Sequence, residues 1–345
     1  GPEGPAYVRP GPAYVRMGAM RAAMYSVNGA AKDVLTLVDL PTPSPGPGEV
    51  RVKVACSGVN PSDVKTRLGL RLKMGFPQVV PHSDGAGVID AVGDGVNPSR
   101  VGDRVWIWNA QWGRPFGTAA EFVVLPSAQA VTLPQGVDFA SGACLGIPAL
   151  TAFHAVTMDG GVRDKVVLVA GGAGSVGHYA VQFARLKGAR RIIASVSSPE
   201  KAALAQQAGA HDVINYKTED LVARVRQLTD GRGVDRIIEV DLAANIAADL
   251  DIVAAEGDIV TYGSGEPKIQ IPFLPSILKN VRFRFFIVYN LSPLDRASAI
   301  ADLTMLMTEG QLTHNVAARF PLSSIVQAHE TVEQGTAIGN VVVEV

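Results

Sequence analysis

The residues best suited to chemistry form a glycine-rich segment at positions 170–177. Within it, Gly172, Gly174 and Gly177 match the spacing Gly-x-Gly-x-x-Gly. The segment follows an apolar stretch, residues 165–170, that predicts a strand buried on both faces, and it opens a predicted helix. In that setting the glycines allow a tight turn and let the backbone approach a pyrophosphate, which the free N–H groups of the helix N-terminus bind. The pattern predicts a dinucleotide-binding site.

The end of the next predicted strand distinguishes NAD from NADP. An NAD site usually has an acidic residue there, about 20 residues after the glycines, that binds the ribose hydroxyls. Here residues 195–198 read Ser-Val-Ser-Ser, and the first acid, Glu200, already lies within a predicted helix. Lys201 and Tyr216 lie close by in the predicted topology, and a small polar pocket with a lysine suits a 2′-phosphate. We therefore expect NADPH as the cofactor. The alternative that Lys201 is only a solvated helix residue stays open.

Two different patterns divide the chain around these residues. From about Asp164, apolar strands alternate with helical stretches, as in a doubly wound parallel α/β sheet. The later strands are expected at residues 191–196, 213–215, 236–240 and 258–261. Before them, Val50, Val52 and Val54 alternate with charged residues, and short strands punctuated by Gly, Pro and Asp predict a mostly β domain. The short apolar strand at residues 341–345 is expected to return to this first domain.

Size and composition limit the class of protein. The 345 residues suffice for two domains, and with 47% hydrophobic and 18% charged residues the chain can bury a large core. The net charge of -1 gives no electrostatic basis for binding nucleic acid. No apolar run reaches the about 18 residues of a membrane span. Only two cysteines occur, Cys56 and Cys144, which favours a reducing, cytoplasmic setting over a disulfide framework.

The N-terminal segment differs from the rest of the chain. The sequence Gly-Pro-Ala-Tyr-Val-Arg occurs at residues 4–9 and again at residues 11–16. It has neither an apolar core nor the pattern of a signal peptide. We expect residues 1–16 to be a remnant of an expression vector that takes no part in the fold.

Several further motifs occur in one order along the chain. They are GVNPSD at 58–63, SDGAGVI at 83–89, GDRV at 102–105, GIPALTA at 146–152, AVQFA at 180–184 and Gly188-Ala189. With these motifs and the glycine segment, the chain resembles the medium-chain dehydrogenase/reductase superfamily. Within that superfamily it is most similar to the zinc-free NADPH:quinone oxidoreductase branch, the zeta-crystallin-like proteins. The resemblance extends from about Met20 to Val345.

The resemblance implies two domains with the active cleft between them. One is a GroES-like, mostly β catalytic domain, which we expect to comprise residues 17–144 and 291–345. The other is a Rossmann domain, residues 145–290, which binds NADPH on a doubly wound parallel sheet.

The resemblance also implies site residues. Asn60 is expected to face the nicotinamide and the substrate, and Lys65 stands where many members have a tyrosine. Thr151, Gly263 and Ser264 are expected at the nicotinamide end. The other expected cofactor contacts are Gly172, Ala173, Gly174, Ser175, Val176 and Gly177 around the pyrophosphate, Ser197, Lys201 and Tyr216 around the 2′-phosphate, and Phe286, Ile287 and Val288 from the last Rossmann strand.

A catalytic metal is not expected. The positions that bind zinc in the alcohol dehydrogenases of this superfamily carry Asn60, Ser83-Asp84 and Ile147 here. Without a Lewis acid, a quinone or an activated enone is the easier acceptor, because the charge that arrives with hydride is delocalised onto a distant oxygen. Asn60 is the candidate hydrogen-bond donor or orienting group, and Lys65 is a second, electrostatic candidate.

Two alternative functions remain open. One is an enoyl-thioester or alkenal double-bond reductase on the same fold. The other is an NADPH-binding structural or RNA-binding protein with little catalysis, although the near-neutral charge argues against RNA. The aromatic residues Trp106, Trp108, Trp112 and Phe116 fit either an ordinary core or dimer contact, or a stacking wall for a flat substrate.

An apolar run bears on the oligomeric state. It contains Phe283, Phe285, Phe286 and Tyr289, near the end of the predicted Rossmann domain. The corresponding region pairs subunits in the family that the chain resembles. The resemblance therefore implies a homodimer that acts on a small-molecule quinone or enone, with no nucleic-acid or membrane partner.

Overall fold

The computed structural model describes residues 18–70 and 73–345, so the interpretation of residues 1–16 concerns residues outside the described part. The described chain forms a seven-stranded, a six-stranded and a two-stranded sheet. The strands are β1 (Ala19–Met24), β2 (Thr36–Pro41), β3 (Glu49–Val59), β4 (Asp84–Val92), β5 (Arg104–Ile107), β6 (Phe122–Pro126), β7 (Ala130–Thr132), β8 (Val166–Val169), β9 (Arg191–Val196), β10 (Asp212–Asn215), β11 (Val234–Glu239), β12 (Val253–Thr261), β13 (Arg282–Phe285), β14 (Val316–Pro321) and β15 (Asn340–Glu344).

Helices connect these strands. They are α1 (Ala31–Val34), α2 (Pro61–Arg67), α3 (Phe139–Gly142), α4 (Leu150–Thr157), α5 (Ser175–Leu186), α6 (Pro199–Ala208), α7 (Leu221–Leu228), α8 (Leu242–Ile252), α9 (Phe273–Leu278), α10 (Pro293–Thr308) and α11 (Ile325–Gln334). A π-helical turn, Leu145–Ala149, leads directly into α4. Short 3₁₀ turns occur at Pro98–Arg100, Ser127–Gln129, Val288–Asn290 and Leu322–Ser324.

The six-stranded sheet is parallel throughout and has the order β10-β9-β8-β11-β12-β13. Counted from its first strand, this is the 3-2-1-4-5-6 order of the Rossmann fold. The central strand β8 is buried on both faces, because Val167 and Val169 pack with α5 while Val166 and Leu168 pack with α7 and α8. The prediction that this apolar strand is buried on both faces is confirmed.

The seven-stranded sheet forms the mostly β part of the molecule. In β3 the side chains of Val50, Val52 and Val54 are buried, whereas Lys53 is exposed, so the period-two pattern is confirmed. The strand β15 pairs with β14 on one side and with β3 on the other. The predicted return of the C-terminal apolar strand to the first domain is confirmed.

The residues that follow β13 do not all belong to one domain. Helix α10 packs against α4, and its buried Ala299 and Leu303 belong to the same apolar cluster as Val167 of the parallel sheet. In contrast, β14 and β15 join the seven-stranded sheet. The domain boundary at residues 290 and 291 stays a prediction.

Neither a membrane-spanning helix nor a disulfide is found within residues 18–70 and 73–345. The helices of these residues are too short or too polar to cross a bilayer. Cys56 and Cys144 are both free and buried. Burial raises the pKa of Cys56 to about 11 and also raises that of Cys144, so neither thiol is a ready nucleophile.

A chain of buried polar side chains joins helix α2 to helix α11 and to the seven-stranded sheet. Arg67 Nε donates to His329 Nδ1 at 3.4 Å, and the Nε2 atoms of His329 and His82 lie 2.9 Å apart. A guanidinium only donates, so Nδ1 of a neutral His329 accepts and its hydrogen is on Nε2. His82 then accepts that hydrogen at its Nε2 and carries its own hydrogen on Nδ1. From Nδ1 it donates to Ser57 Oγ at 2.7 Å. Burial lowers the pKa of His82 to about 3 and that of His329 well below its usual value, so both imidazoles are neutral at pH 7.

Candidate active site

A cavity of about 350 Å³ lies where the carboxyl ends of the parallel strands face helix α2. Residues that follow β8 to β13 in turn contribute to its wall, and α2 and α4 supply the opposite side. In open α/β sheets, ligands bind outside the carboxyl ends of the strands. The cavity is therefore placed where such a fold binds its cofactor.

The glycine segment forms one wall of the cavity and can accept a pyrophosphate. A Cβ at Gly177 would overlap the carbonyl oxygen of Gly171, and a Cβ at Gly172 would lie 2.6 Å from Ala194 Cβ. These glycines let the turn and the first part of α5 pack closely against the sheet. Gly174 is exposed and precedes Ser175, the first residue of α5, whose first turn leaves backbone N–H groups without intrahelical partners. A turn that presents backbone N–H groups in this way, the glycine cradle, fits a dinucleotide phosphate.

A basic pocket lies at the end of β9. Lys201 Nζ donates to Ser197 Oγ at 2.9 Å, and both residues line the cavity together with Tyr216. Ser198 caps helix α6, since its hydroxyl accepts from the backbone N–H of Lys201 at 3.3 Å. Among the described residues that line the cavity, the charged side chains are Lys65 and Lys201, and none is acidic. This end of the cavity suits a phosphorylated ribose.

At the opposite end, Asn60 is held from two sides. Its backbone N–H donates to Asp63 Oδ2 at 2.8 Å, which fixes the start of α2. Its side-chain Nδ2 donates to Asp84 Oδ2, also at 2.8 Å. The backbone carbonyl of Asp84 accepts from Thr118, which lies 2.7 Å from Ser57 and so extends the buried chain described above. The orientation of the Asn60 amide thus depends on the packing of the buried polar side chains beneath the seven-stranded sheet.

Two hydrogen bonds cross the cavity between the sheets. Lys65 Nζ donates to the backbone carbonyl of Ser264 at 2.9 Å, and Ser62 Oγ lies 2.9 Å from the hydroxyl of Tyr289. The ring of Trp112 stacks on Tyr289 with centroids 4.4 Å apart and planes at 16°. Trp112 itself does not line the cavity, and Trp106 is buried in the apolar core, so both interpretations of these aromatic residues stay open.

A buried pair of carboxyl groups shapes the loops after β11 and β12. Burial and the charge of Glu239 raise the pKa of Asp249 to about 9, so the pair holds one shared proton at neutral pH. Glu239 Oε1 accepts from the backbone N–H of Asp241 at 2.5 Å and from Asn245 Nδ2 at 3.0 Å. Asp241 Oδ1 in turn accepts from the backbone N–H of Gly265 at 2.7 Å. These bonds fix the two loops that close the cavity on the side of the sheet.

The cavity brings together most of the predicted site residues. Those that line it are Asn60, Lys65, Thr151, Ala173, Gly174, Ser175, Val176, Gly177, Ser197, Lys201, Tyr216, Gly263, Ile287 and Val288. Gly172, Ser264 and Phe286 lie outside the lining: Gly172 packs against Ala194, Ser264 accepts from Lys65, and the ring of Phe286 packs edge-on against His154 at 4.8 Å. Strand β13 ends at Phe285, so the predicted contacts at 286–288 follow the last strand instead of belonging to it.

Other cavity residues were not predicted. Tyr289 belongs by sequence to the apolar run expected to pair subunits, yet it is only 8% exposed and lines the cavity. Ser62 lies three residues before Lys65 on the same face of α2, a spacing from which it could have been inferred. Tyr262 directly precedes the predicted Gly263. Ala337 and Ile338 precede β15, and only the return of that strand brings them to the cavity.

The donor set beside α2 consists of an amide, a hydroxyl and an ammonium, from Asn60, Ser62 and Lys65. Zinc sites are built from thiolate, imidazole and carboxylate ligands, so this set does not match one. Within the described ranges, no group of three or more His, Cys, Asp and Glu side chains is arranged to hold a metal ion. Independence from zinc stays a prediction.

Two family models match the chain. The one described as an alcohol dehydrogenase GroES-like domain matches residues 46–135, and the one described as a zinc-binding dehydrogenase matches residues 175–304. A quinone oxidoreductase of Pseudomonas aeruginosa is 32% identical over 316 residues, which is 90% of this chain and 95% of that protein. The chain belongs to the medium-chain dehydrogenase/reductase superfamily, in its quinone oxidoreductase branch.

Other superfamily members extend the comparison. A 2-haloacrylate reductase of a Burkholderia species is 30% identical over 306 residues, or 85% of this chain and 90% of that protein. The quinone oxidoreductase of Escherichia coli, solved in complex with NADPH, superposes with a TM-score of 0.82 at 25% identity and covers 94% of this chain and 100% of its own. As a medium-chain dehydrogenase/reductase, the protein is an oxidoreductase with a GroES-like and a Rossmann-like part, which confirms the predicted family and fold class.

Proposed function

We propose that the protein uses NADPH to reduce a quinone, or a closely related activated enone, without a catalytic metal. The observation that carries the proposal is a single cavity with two differently equipped ends. One end has the glycine cradle and the Lys201–Ser197 pocket, and the other has Asn60 and Lys65 beside apolar walls. The NADPH bound in the solved Escherichia coli relative supports the choice of cofactor.

The residues of this chain divide the work between binding and charge stabilisation. When bound, the reduced nicotinamide supplies the hydride. The glycine cradle and Lys201 hold the phosphates, which fixes the direction of the cofactor in the cavity. Asn60 and Lys65 place an amide and an ammonium where negative charge develops on the acceptor oxygen. Ile147 and Tyr289 limit the access of water to that end, and solvent supplies the proton after the hydride has transferred.

A double-bond reductase is the second candidate. The 2-haloacrylate reductase relative is named for the reduction of an activated alkene, which uses the same hydride geometry as quinone reduction. The cavity residues that support quinone reduction would serve an alkene conjugated to a carbonyl equally well. The two candidates differ in the acceptor that is turned over fastest.

The deciding experiment is a steady-state comparison of acceptors with NADPH and NADH. A panel of 1,2- and 1,4-quinones, alkenals and an enoyl-CoA is tested, and metal content is measured on the same sample. We expect the highest kcat/KM for a quinone with NADPH, and the full rate in the presence of a chelator. Faster turnover of an alkenal or enoyl-CoA would favour the second candidate. Binding of NADPH without turnover of any acceptor, or stoichiometric zinc with loss of activity on chelation, would contradict the proposal.

Lys201 should determine the preference for NADPH. Lys201→Ala removes a charge-assisted contact to the 2′-phosphate, so we expect the Kd for NADPH to rise by roughly 10- to 100-fold while binding of NADH is nearly unchanged. Titration of cofactor fluorescence measures both. The matched control is Lys217→Ala, which removes a lysine that lies over the ring of Tyr216 at 5.5 Å but outside the cavity. An equal loss for both cofactors would show that Lys201 does not bind the 2′-phosphate.

We also propose that two copies pair along the edge of the parallel sheet. Strand β13 lies at that edge, next to an exposed apolar surface formed by Phe273, Leu274, Ile277, Leu278 and Phe285. An edge strand beside such a surface is a template for a second strand. A two-fold axis across β13 would bury the same surface of both copies. Phe286 and Tyr289 are turned towards the interior and would not contribute.

A charge in this surface should separate the copies. Leu278 is 74% exposed and Phe285 is 58% exposed. For the double variant Leu278→Glu, Phe285→Glu we expect a monomer mass by light scattering at micromolar concentration and a melting temperature that does not depend on protein concentration. Leu70→Glu is the control. Leu70 is 67% exposed but follows α2 and does not belong to the surface beside β13, so this variant should remain a dimer. A monomeric wild-type protein across the same concentrations would reject the dimer.

A further inference from the structure

We propose that Asp84 is a positioning residue that stays protonated and thereby turns the hydrogen-bond donor of the Asn60 amide towards the substrate. The inference rests on the proposed function, since reduction of a quinone or an enone requires a donor at the developing oxyanion. Asp84 itself does not line the cavity, so it acts only through Asn60.

The surroundings of Asp84 favour a neutral acid. Its side chain is fully buried at the start of β4, and only one of its oxygens, Oδ2, has a well-formed hydrogen bond, to Asn60 Nδ2 at 2.8 Å. The other oxygen, Oδ1, lies against the backbone of Gly146 and Ile147, where a Cβ at Gly146 would overlap it. A carboxylate with an oxygen packed against backbone and no donor of good geometry is costly to bury, whereas the protonated acid is not.

The groups that face Asp84 supply no compensating charge. Burial is the main cause that raises its pKa well above the usual value, and the negative charge of Asp63 on α2 raises it further. The amide of Asn60 opposes this but carries no charge. The neighbouring His82 is neutral, and the buried thiol of Cys144 has a raised pKa and is also neutral. Asp84 therefore has no cation to hold it in the ionised form at neutral pH.

The protonation of Asp84 sets the orientation of the Asn60 amide. A carboxylate can only accept, so it draws Nδ2 of Asn60 towards itself and turns the amide oxygen the other way. A protonated acid can donate to that oxygen instead, after a half-turn of the amide that leaves its shape unchanged. The NH₂ group then faces the cavity. Only this second arrangement gives the substrate oxygen a good donor as negative charge develops on it.

Four variants separate this role from simple packing. In Asp84→Asn the new amide can still donate to Asn60, so we expect kcat within about threefold of wild type. Asp84→Leu has similar volume but no hydrogen bond, and its kcat should fall roughly 10²-fold at an unchanged Kd for NADPH. The double variant Asn60→Ala, Asp84→Leu should be no slower than Asn60→Ala alone, because both changes remove one shared interaction. Melting temperatures are measured to confirm that each variant is folded.

Two readouts test the protonation itself. The difference infrared spectrum of wild type minus Asp84→Asn, recorded at pH 7, should contain the C=O band of a protonated carboxylic acid. Any fall in the kcat of the wild type at alkaline pH that comes from Asp84 should be absent in Asp84→Asn. Asp90→Asn is the matched control on the same strand, because Asp90 forms an ion pair with Arg51 at 2.9 Å. It should show only carboxylate bands and should keep the wild-type kcat and pH profile.

The outcomes distinguish this inference from the proposed function. A wild-type protein that turns over no quinone or enone would contradict the function, whereas the infrared band would still report on Asp84. The inference is overturned if the difference spectrum shows an ionised carboxylate at pH 7. It is equally overturned if Asp84→Leu retains the wild-type kcat, if Asp84→Asn loses as much as Asp84→Leu, or if the effects of Asn60→Ala and Asp84→Leu simply add.

Discussion

Replacing Asn60 by alanine should lower kcat for a quinone by about 10²-fold, while NADPH binds nearly as tightly as to the wild type. The reason is that Asn60 lies beside Lys65 at the end of the cavity opposite the glycine cradle. This is the end where we propose that charge develops on the acceptor. A donor held in place before the reaction stabilises that charge without reorganising during it. Steady-state rates at saturating NADPH give kcat, and a fluorescence titration gives the Kd of the cofactor.

Two controls accompany this variant. Loss of the N-cap at α2 costs about 0.5–2 kcal/mol of stability, so the melting temperature of Asn60→Ala is measured beside its rate. Ser62→Ala removes the hydroxyl that lies 2.9 Å from Tyr289 and leaves the contact of Asn60 with Asp84 intact. We expect it to retain kcat within about threefold. A wild-type rate for Asn60→Ala would contradict this role of Asn60 and would indicate that Lys65 is the donor.

The second large effect is expected at Gly177. A methyl group there would overlap the carbonyl oxygen of Gly171, so Gly177→Ala must push the glycine turn away from the start of α5. Overpacking of this kind costs about 1–3 kcal/mol of stability. The displaced turn no longer presents its N–H groups to a pyrophosphate, and the Kd for NADPH should rise by at least about 10²-fold. Thermal unfolding and cofactor titration measure the two losses separately.

Gly174→Ala provides the matched control. The nearest atom to a Cβ at Gly174 is the carbonyl oxygen of Gly171 at 3.3 Å, so the methyl group requires only a small adjustment of the turn. Gly174 faces the cavity, and we therefore expect weaker NADPH binding with a melting temperature close to that of the wild type. Equal destabilisation by both substitutions would mean that the cradle is not specifically built around Gly177.

The regular parts of the fold could be predicted from local sequence. The continuous apolar run of β8 and the alternation of Val50, Val52 and Val54 in β3 each follow from which faces of the strand are buried. The cap of α6 by Ser198 and its end at Gly209 follow from the chemistry of these side chains and from the left-handed backbone at Gly209. These features depend on residues close together in the chain, which is why they could be recognised.

The parts of the site that could not be predicted depend on contacts between distant segments. Tyr289 faces the cavity because Ser62 and Trp112, both far away in sequence, hold its hydroxyl and its ring. The aromatic residues around it in the sequence gave no sign of this orientation. Gly172 fits the glycine pattern equally well but serves the packing of the turn on Ala194 instead of lining the cavity. A motif identifies the turn, and only the tertiary structure assigns each of its residues to packing or to binding.

The same distinction applies to Asp84. The resemblance places it in the Ser83-Asp84 pair of positions that bind zinc in the alcohol dehydrogenases, which draws attention to what it would coordinate. Its burial and its bond to Asn60 show a different environment, in which the carboxyl group is enclosed behind the cavity wall. No local pattern reports such enclosure, because it depends on Gly146 and Thr118 from other parts of the chain.

The interior position of β15 has a consequence for how the protein is made on the ribosome. Strands β8 to β13 form one contiguous stretch, residues 166–285, and can assemble as soon as that stretch has emerged. The sheet that supports Asn60 needs residues 340–344 between β3 and β14, so its earliest strands must wait for one of the latest. Domains generally become ordered in the direction of synthesis, and here that order is reversed. The parallel sheet can thus be complete before the sheet that supports Asn60.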